Sequence, residues 1–172
     1  DTAIDCVCNF PEPTCVIVKH ANPCGVSSRK NLLDAYQSAF ESDPTSAFGG
    51  IIAFNEKVSG EVAQRLIDNQ FLEVVAAPAY SDESLKIFTA KPNVRVLSFK
   101  PKINDKNKIL SVSGGLLIQS ADNKIITEDN LEVVTKRVPS KDEIQNALFA
   151  WKVCKYVKSN AIVFAASEQT LG

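Results

Sequence analysis

Short apolar runs alternate with segments of helical periodicity through the first part of the chain, and this alternation constrains the fold most. Predicted strands cover residues 15–19, 51–54, 72–77 and 94–99. Apolar residues recur at helical spacing in residues 32–40, up to Asp43-Pro44, and again behind the caps Ser59 and Ser81. Residues 45–50 are predicted as a loop. This order is typical of βαβ units and predicts an α/β fold.

The pattern changes in the second part of the chain. Residues 109–112, 116–119 and 131–137 alternate as strands around Gly114-Gly115, as in an antiparallel addition or a sheet edge. Ser140 and Glu143 form a capping box for a long helix that ends at Ser159 and Asn160. A closing strand is predicted for residues 161–165. The helix has an apolar stripe that is expected to pack in the core and comprises Ile144, Ala147, Leu148, Trp151 and Cys154.

Composition narrows the class of protein. The chain has 172 residues, 45% hydrophobic and 23% charged, which is enough apolar material for one full core. A net charge of -1 gives no electrostatic footprint for nucleic acid or an acidic membrane surface. No apolar run reaches the length of about 20 residues that a membrane span requires. We therefore expect neither a nucleic-acid nor a membrane partner.

The cysteines and the N-terminal sequence indicate the cellular compartment of the protein. Five cysteines, an odd number without Cys-x-x-Cys spacing, favour reduced thiols in a cytoplasmic protein. The N-terminus lacks the basic-then-apolar order of a signal peptide. Because the sequence also contains no methionine, we expect an internal fragment of a longer protein.

The stretch from Lys19 to Gly25 holds the only histidine, His20, directly after a buried run that ends at Val18. In an α/β sheet, ligands bind beyond the carboxyl ends of the strands, so a polar cluster here indicates a site. Histidine suits general acid and base work near neutral pH, and a neighbouring lysine cation favours the neutral, proton-accepting imidazole. The alternative is that His20 only hydrogen-bonds the backbone of a Pro-Cys-Gly turn.

A second candidate site is the loop of residues 43–50, where Gly49 and Gly50 permit backbone amides to approach a ligand closely. It is not a nucleotide-binding fingerprint, because neither G-x-G-x-x-G nor a P-loop lysine pattern is present and the glycines precede a strand. A tight turn is the alternative interpretation. Asn160 and Asp122 lie next to predicted element ends, where polar residues commonly cap or turn.

Several segments, in order along the chain, resemble one known family. They are residues 16–25, Asp34-Ala35-Tyr36, residues 43–55, Gly114-Gly115-Leu116-Leu117, residues 133–137 and residues 151–163. The chain is similar to the transformylase part of the bifunctional purine-biosynthesis family that joins AICAR transformylase to IMP cyclohydrolase, where AICAR is 5-aminoimidazole-4-carboxamide ribonucleotide. Because the segments span nearly the whole chain, the series is far more specific than any single motif.

The resemblance implies formyl transfer from 10-formyltetrahydrofolate to the 5-amino group of AICAR, which gives FAICAR in IMP biosynthesis. It implies that His20 removes a proton from the weakly nucleophilic amine and that Lys19 helps to protonate the departing folate nitrogen. Asn160 would orient the reacting groups. The parent protein would also have IMP cyclohydrolase activity, in a domain that this chain lacks.

The resemblance also implies binding residues and a fold. Gly49 and Asp122 would contact the nucleotide, Thr45 and Phe48 would face the folate, and potassium would bind backbone oxygens of Cys154, Val157 and Ser159, with no zinc. The implied fold is three-layered and cytidine deaminase-like, with a mixed sheet flanked by helices. Residues 1–138 would form the first unit, and residues 139–172 the helix and strand that open the second. The parent would be a homodimer with its active site between two subunits.

Two alternative functions concern the same residues. A zinc nucleobase deaminase needs His-x-Glu and Pro-Cys-x-x-Cys. Here Asn22 and Ser27 stand where the glutamate and the second cysteine belong, so that zinc site cannot be built. The other alternative is that the isolated fragment is only a nucleotide-binding, folate-binding or assembly module without catalysis.

Overall fold

Nine strands and six α-helices form in residues 1–101 and 106–172, which are the residues that the computed structural model of the chain describes. The strands are β1 (Thr14–Lys19), β2 (Asn22–Ser28), β3 (Gly50–Phe54), β4 (Leu72–Ala77), β5 (Arg95–Ser98), β6 (Asn107–Val112), β7 (Gly115–Ser120), β8 (Ala165–Ala166) and β9 (Gln169–Thr170). The helices are α1 (Thr2–Val7), α2 (Leu32–Ser42), α3 (Pro44–Ala47), α4 (Gly60–Asn69), α5 (Asp82–Phe88) and α6 (Lys141–Cys154), with a 3₁₀ turn at Glu128–Asn130.

Seven of these strands form one mixed sheet in the order β5-β4-β3-β1-β2-β9-β8. Strand β1 is antiparallel to both of its neighbours, β2 and β3, whereas β3, β4 and β5 are parallel to one another. Helices α4 and α5 form the crossovers between the parallel strands, as a βαβ unit requires. The other two strands, β6 and β7, form a separate antiparallel hairpin.

Both faces of the large sheet are buried around its central strand β1, whereas the edge strand β5 is mostly exposed. On β1, Cys15 and Ile17 belong to a core formed with α2, α4 and α5, whereas Val16 and Val18 belong to a second core formed with α1 and α6. The alternation follows from the two-residue period of a strand, and burial on both faces explains the unbroken apolar run in the sequence. Helices therefore flank a mixed sheet, which confirms the predicted α/β class.

Helix α2 packs very closely against β2. A Cβ added to Gly25 would lie 2.0 Å from the backbone oxygen of Ala39. Only glycine permits this approach, because any side chain would overlap the helix backbone. The contact fixes α2 against the β1–β2 hairpin.

Most predicted elements of the first part are confirmed. The four predicted strands correspond to β1, β3, β4 and β5, and the predicted helix of residues 32–40 is α2, which ends just before Asp43-Pro44. Ser59 and Ser81 cap α4 and α5 through hydrogen bonds to backbone amides. The capping box of Ser140 and Glu143 and the strands β6 and β7 are also confirmed.

Two predictions near the histidine are wrong. Pro23 to Gly25, interpreted as a turn, lie within β2, because the chain already reverses at His20 and Ala21 and pairs with β1 at once. The predicted loop of residues 45–50 is helical over Pro44–Ala47, with Asp43 as its N-cap, and Gly50 begins β3. The N-cap and the proline at the first helical turn favour this short helix.

Four predictions in the second part are also wrong. Residues 131–137 form no strand, since no strand in the described parts of the chain pairs with them. Helix α6 ends at Cys154, before Ser159 and Asn160, and only Ala165 of the predicted closing strand lies in a strand. The buried residues of α6 are Phe149 and Val153, whereas two members of the predicted core stripe, Ala147 and Trp151, are exposed. The core face of the helix is thus rotated from the predicted one.

A helix that crosses a membrane must be both long and apolar. Within residues 1–101 and 106–172, no helix combines the length and apolar character that a bilayer crossing needs.

Candidate functional site

The β1–β2 hairpin presents His20 at one edge of the large sheet. Its two-residue turn consists of His20 and Ala21, whose φ angles are 52° and 63°, and Lys19 pairs with Asn22 across it. Positive φ at both central residues is the geometry of a type I′ hairpin turn, which residues with a side chain adopt rarely. Since His20 is exposed, the turn leaves the imidazole accessible from solvent.

His20 directly follows the carboxyl end of β1, as the sequence predicts. Because β1 is antiparallel to β3, Val18 at the end of β1 pairs with Ile51 near the beginning of β3. The carboxyl end of β1, and with it His20, therefore lies at the amino ends of the parallel strands β3, β4 and β5. The site is built from the hairpin turn and from the loops that precede β3 and β4.

Lys19 joins the hairpin to the glycine loop. Its ammonium donates hydrogen bonds to the backbone oxygens of Phe48 and Gly49, at 2.9 and 3.0 Å. Gly49 has a φ of 66°, and its amide donates to the backbone oxygen of Phe71 at 2.8 Å. Glycine fits here because its φ lies in the left-handed region. The loop is thus held between the end of β1 and the start of β4.

Helix α3 fixes the beginning of the same loop. The Asp43 carboxylate accepts a hydrogen bond from the Ser46 amide at 2.9 Å, and hydrogen bonds from Ser46 lower the pKa of Asp43. Thr45 is exposed, and Phe48 is 63% exposed, with its ring centroid 5.5 Å from that of Phe71. Two aromatic rings are therefore accessible next to the Lys19 contact.

Cys24 lies near this corner but is not poised as a nucleophile. Burial, reinforced by the Asp43 charge, raises the pKa of the Cys24 thiol to about 11. The thiol donates to the backbone oxygen of Ile17 at 3.6 Å. Because the thiolate is the nucleophilic form, Cys24 is unreactive near neutral pH.

The segment after α6 is tied to the hairpin. Asn22 Oδ1 accepts a hydrogen bond from the Lys158 backbone amide at 2.9 Å, and the Lys158 ammonium donates to the His20 backbone oxygen at 3.4 Å. Asn160 is exposed and follows Lys158 by two residues, so their Cα atoms lie within about 7 Å of each other. Sequence reasoning missed the contact between Asn22 and Lys158, for which the sequence signal was the place of Asn22 two residues after His20.

Asp122 is connected to the end of α6 and not to the hairpin turn. Its backbone oxygen accepts a hydrogen bond from the Lys155 ammonium, and its carboxylate accepts one from the Lys124 amide at 3.2 Å. Lys155 directly follows α6. None of the Asp122 hydrogen bonds found within the described residues reaches His20 or Gly49.

Cys154, Val157 and Ser159, the residues expected to bind potassium, lie close together in sequence at the end of α6. The Val157 amide donates to the Cys154 oxygen at 3.1 Å, which leaves that carbonyl a second lone pair. Carbonyl oxygens are suitable ligands for hard cations. Separately, residues 1–101 and 106–172 contain no group of three or more His, Cys, Asp or Glu side chains that could hold a metal ion.

Two surface grooves lie away from this corner. One, of 330 Å³, is lined mainly by residues 131–135, and another, of 520 Å³, lies between α4 and α5. None of the candidate site residues lines either groove. Because His20, Thr45 and Phe48 are exposed, the candidate site is an open corner of the sheet.

Comparison with known families decides which class of protein carries this corner. The model of the AICARFT/IMPCHase bienzyme family matches residues 1–172 of the chain. The chain belongs to this family. The match confirms the resemblance found in the sequence. Members of the AICARFT/IMPCHase family combine AICAR formyltransferase and IMP cyclohydrolase activities of purine biosynthesis.

For a member of the AICARFT/IMPCHase family, the corner offers three chemical features side by side. His20 provides an exposed imidazole, Lys19 an ammonium held by two carbonyls, and Phe48 and Phe71 a pair of accessible aromatic rings. An imidazole and an ammonium can move protons, and aromatic rings can stack on planar ligands. The corner is therefore a candidate active site.

Proposed function

We propose that this chain carries the formyltransferase site of its family. A formyl group passes from 10-formyltetrahydrofolate to the 5-amino group of AICAR, giving FAICAR and tetrahydrofolate. The observation that carries the proposal is the contact of the Lys19 ammonium with the Gly49 loop, directly beside the exposed His20. Two groups that can transfer protons, the ammonium and the imidazole, thus lie at one open corner. The family match over residues 1–172 supplies the reaction class.

His20 is the general base in this proposal. The amine of AICAR is a weak nucleophile, because its lone pair is delocalised into the ring and the carboxamide. As the amine attacks the formyl carbon it must lose a proton, and a neutral imidazole accepts that proton. His20 suits the role because it is exposed on a turn whose first strand is buried and therefore rigid.

Lys19 supports the departure of tetrahydrofolate. An ammonium has three N–H groups, and two of those of Lys19 donate to the oxygens of Phe48 and Gly49. The third N–H is directed by these two contacts and can donate to the folate N10. The formyl carbon gains a bond to the amine nitrogen and loses its bond to N10, while one proton leaves the amine and one reaches N10.

The remaining site residues bind and orient the substrates. Asn160 is proposed to hold the carboxamide and the formyl group in register, and Gly49 and Asp122 to contact the nucleotide. Phe48 is proposed to pack against the planar folate ring, with Thr45 nearby. Its exposure of 63% and its contact with the Phe71 ring support this role, because a paired aromatic surface stacks well on a flat heterocycle.

Potassium is proposed to bind the backbone oxygens of Cys154, Val157 and Ser159. The free lone pair on the Cys154 carbonyl is compatible with this role. A cation there would neutralise carbonyl dipoles at the end of α6 and hold the segment that leads to Asn160.

A homodimer is part of the proposal, since it would cover the β6–β7 hairpin. Every residue of both strands is exposed, including Leu110 at 45% and Leu116 at 66%. An isolated two-stranded hairpin is marginally stable in water, and exposed apolar patches commonly mark association surfaces. Sedimentation of the full-length protein tests this. Leu116→Asp should yield monomers, whereas Lys57→Asp, on an exposed loop elsewhere, should leave the dimer intact.

Product analysis tests the proposed reaction. The full-length protein, given AICAR and 10-formyltetrahydrofolate labelled at the formyl carbon, should release tetrahydrofolate and an equal amount of labelled FAICAR or of IMP, its cyclised product. Omission of AICAR should stop tetrahydrofolate release. Release of tetrahydrofolate without a labelled nucleotide would contradict transfer to the amine. We assign the cyclohydrolase activity to a separate domain, so it serves as an internal control for folding.

A further inference from the structure

Asn22 connects the two chain segments that the proposed reaction brings together. It directly follows the two-residue turn that carries His20, and its Oδ1 accepts a hydrogen bond from the Lys158 amide at 2.9 Å. Lys158 precedes Asn160 by two residues. One side-chain oxygen therefore joins the segment of His20 to the segment of Asn160, although 136 residues separate Asn22 from Lys158.

A second contact runs between the same segments. The Lys158 ammonium donates to the His20 backbone oxygen at 3.4 Å, which is longer than the contact made by Asn22. Tyr156 and Val157 pack against the core beneath the sheet and hold the beginning of the segment. Asn160 lies outside any helix or strand, between Val157 and Val163, which both pack against this core. The hydrogen bond from the Lys158 amide to Asn22 fixes the segment that leads directly to Asn160.

We propose that Asn22 is a positioning residue for formyl transfer: through the Lys158 amide it sets the location of Asn160 relative to His20. The inference rests on the proposed function. Asn22 acts through Lys158 and not on substrate. An active-site group that is misplaced by about 1 Å can lower the rate about 100-fold, so loss of this hydrogen bond should lower kcat.

Paired substitutions separate positioning from general stability. Asn22→Ala removes the acceptor, whereas Asn22→Asp keeps an oxygen at the same place. Asn31→Ala is the matched control. Asn31 Oδ1 also accepts a hydrogen bond from a backbone amide, that of Asp34 at 2.9 Å, but this contact caps α2 and does not involve the segment of Asn160. The kcat of the full-length protein is expressed per AICAR site, measured by titration, so that unfolded protein does not lower it.

The expected pattern is specific to positioning. Asn22→Ala should lower kcat about 10- to 100-fold and change the KM for AICAR less than about threefold, because the nucleotide contacts remain. Asn22→Asp should restore most of the loss. Asn31→Ala should lower the thermal midpoint without lowering kcat. Hydrogen exchange at the Lys158 amide, which is independent of activity, should be faster in Asn22→Ala and slow in Asn22→Asp.

The outcomes distinguish this inference from the proposed function. An active protein whose activity requires His20 but is unaffected by Asn22→Ala would overturn the positioning role and leave the proposed function standing. Equal loss of kcat in Asn22→Ala and Asn22→Asp, with the Lys158 amide still protected in the aspartate variant, would also overturn it. Absence of formyl transfer in the unsubstituted protein would overturn the proposed function and the inference together.

Discussion

The Lys19 ammonium and Gly49 constrain each other: the nitrogen lies 3.0 Å from the Gly49 oxygen, and a Cβ on Gly49 would lie 2.8 Å from the same nitrogen. The first contact holds the glycine loop against β1, and the second means that a side chain at Gly49 would displace the ammonium. The position of the proposed acid and the conformation of the loop are therefore set together.

Replacement of Gly49 by alanine is expected to move the Lys19 ammonium and to lower formyl transfer. The φ of 66° costs an alanine about 1–2 kcal/mol. The steric conflict adds little to this, because the flexible lysine moves away and gives up its two hydrogen bonds. The kcat for formyl transfer and the free energy of unfolding in urea measure the two effects.

The matched control for the stability of Gly49→Ala is Gly114→Ala. Gly114 has a φ of 80°, and among the described residues, apart from its chain neighbours, no heavy atom lies within 4 Å of an added Cβ. Both variants should lose a similar free energy of unfolding. A Gly49→Ala protein with unchanged kcat would contradict the coupling of the loop to Lys19.

Replacement of Gly25 by alanine is expected to destabilise the fold through a steric conflict that does not involve the candidate site residues. The added Cβ would lie 2.0 Å from the backbone oxygen of Ala39, and neither backbone can move without separating α2 from β2. The expected loss is about 3 kcal/mol in the free energy of unfolding, at the upper end for overpacking. Gly115→Ala should change it by less than about 1 kcal/mol, because no heavy atom of residues 1–101 or 106–172, other than the adjoining residues, lies within 4 Å of the added Cβ. Equal stability of the two variants would contradict the close approach.

The elements that sequence reasoning identified are those whose signals are local. Strand β1 is apolar throughout because both of its faces are buried, and Ser59 and Ser81 cap helices through contacts three residues away. Strand β2 was missed because its signal is not local. Asn22 to Gly25 have the composition of a turn, yet pairing with β1 extends them, and the actual turn uses positive φ at His20 and Ala21.

Other elements depend on strand-pairing or packing partners that a local sequence pattern does not identify. Residues 131–137 alternate like a strand but lack a pairing strand in the described parts of the chain. In α6, periodicity alone did not show that Phe149 faces the core while Trp151 faces solvent. The candidate site was predicted as two separate motifs, and the contact between Lys19 and Gly49 depends on the antiparallel β1–β3 pair.

The pKa values of the three tyrosines predict that the protein loses stability at alkaline pH. Burial raises the pKa of Tyr36 to about 12, and burial also raises the pKa of Tyr80 and of Tyr156. A raised pKa in the folded state means that the folded protein favours the neutral phenol. The resulting contribution of Tyr36 to the free energy of unfolding is complete below pH 10.0, the usual tyrosine value, and is lost as the pH rises through about 12. Near-ultraviolet absorbance should therefore show little tyrosinate at about pH 10 in the folded protein.

Tyrosine absorbance gives a direct check on this burial. The Tyr36→Phe variant should lose less stability between about pH 10 and 12 than the unsubstituted protein, since one group that titrates on unfolding is absent. A tyrosine that ionises near pH 10 while the protein remains folded would contradict the burial of these side chains.

The most direct test of the central claim is to measure formyl transfer and IMP cyclohydrolase activity in one preparation of the full-length protein, with and without His20→Ala. If His20 is the general base, formyl transfer should fall by about 100- to 10,000-fold. The cyclohydrolase activity should be nearly unchanged, because we assign it to a separate domain. Undiminished formyl transfer in His20→Ala would contradict the assignment of the base, and comparable loss of both activities would contradict a role confined to the formyl transfer site.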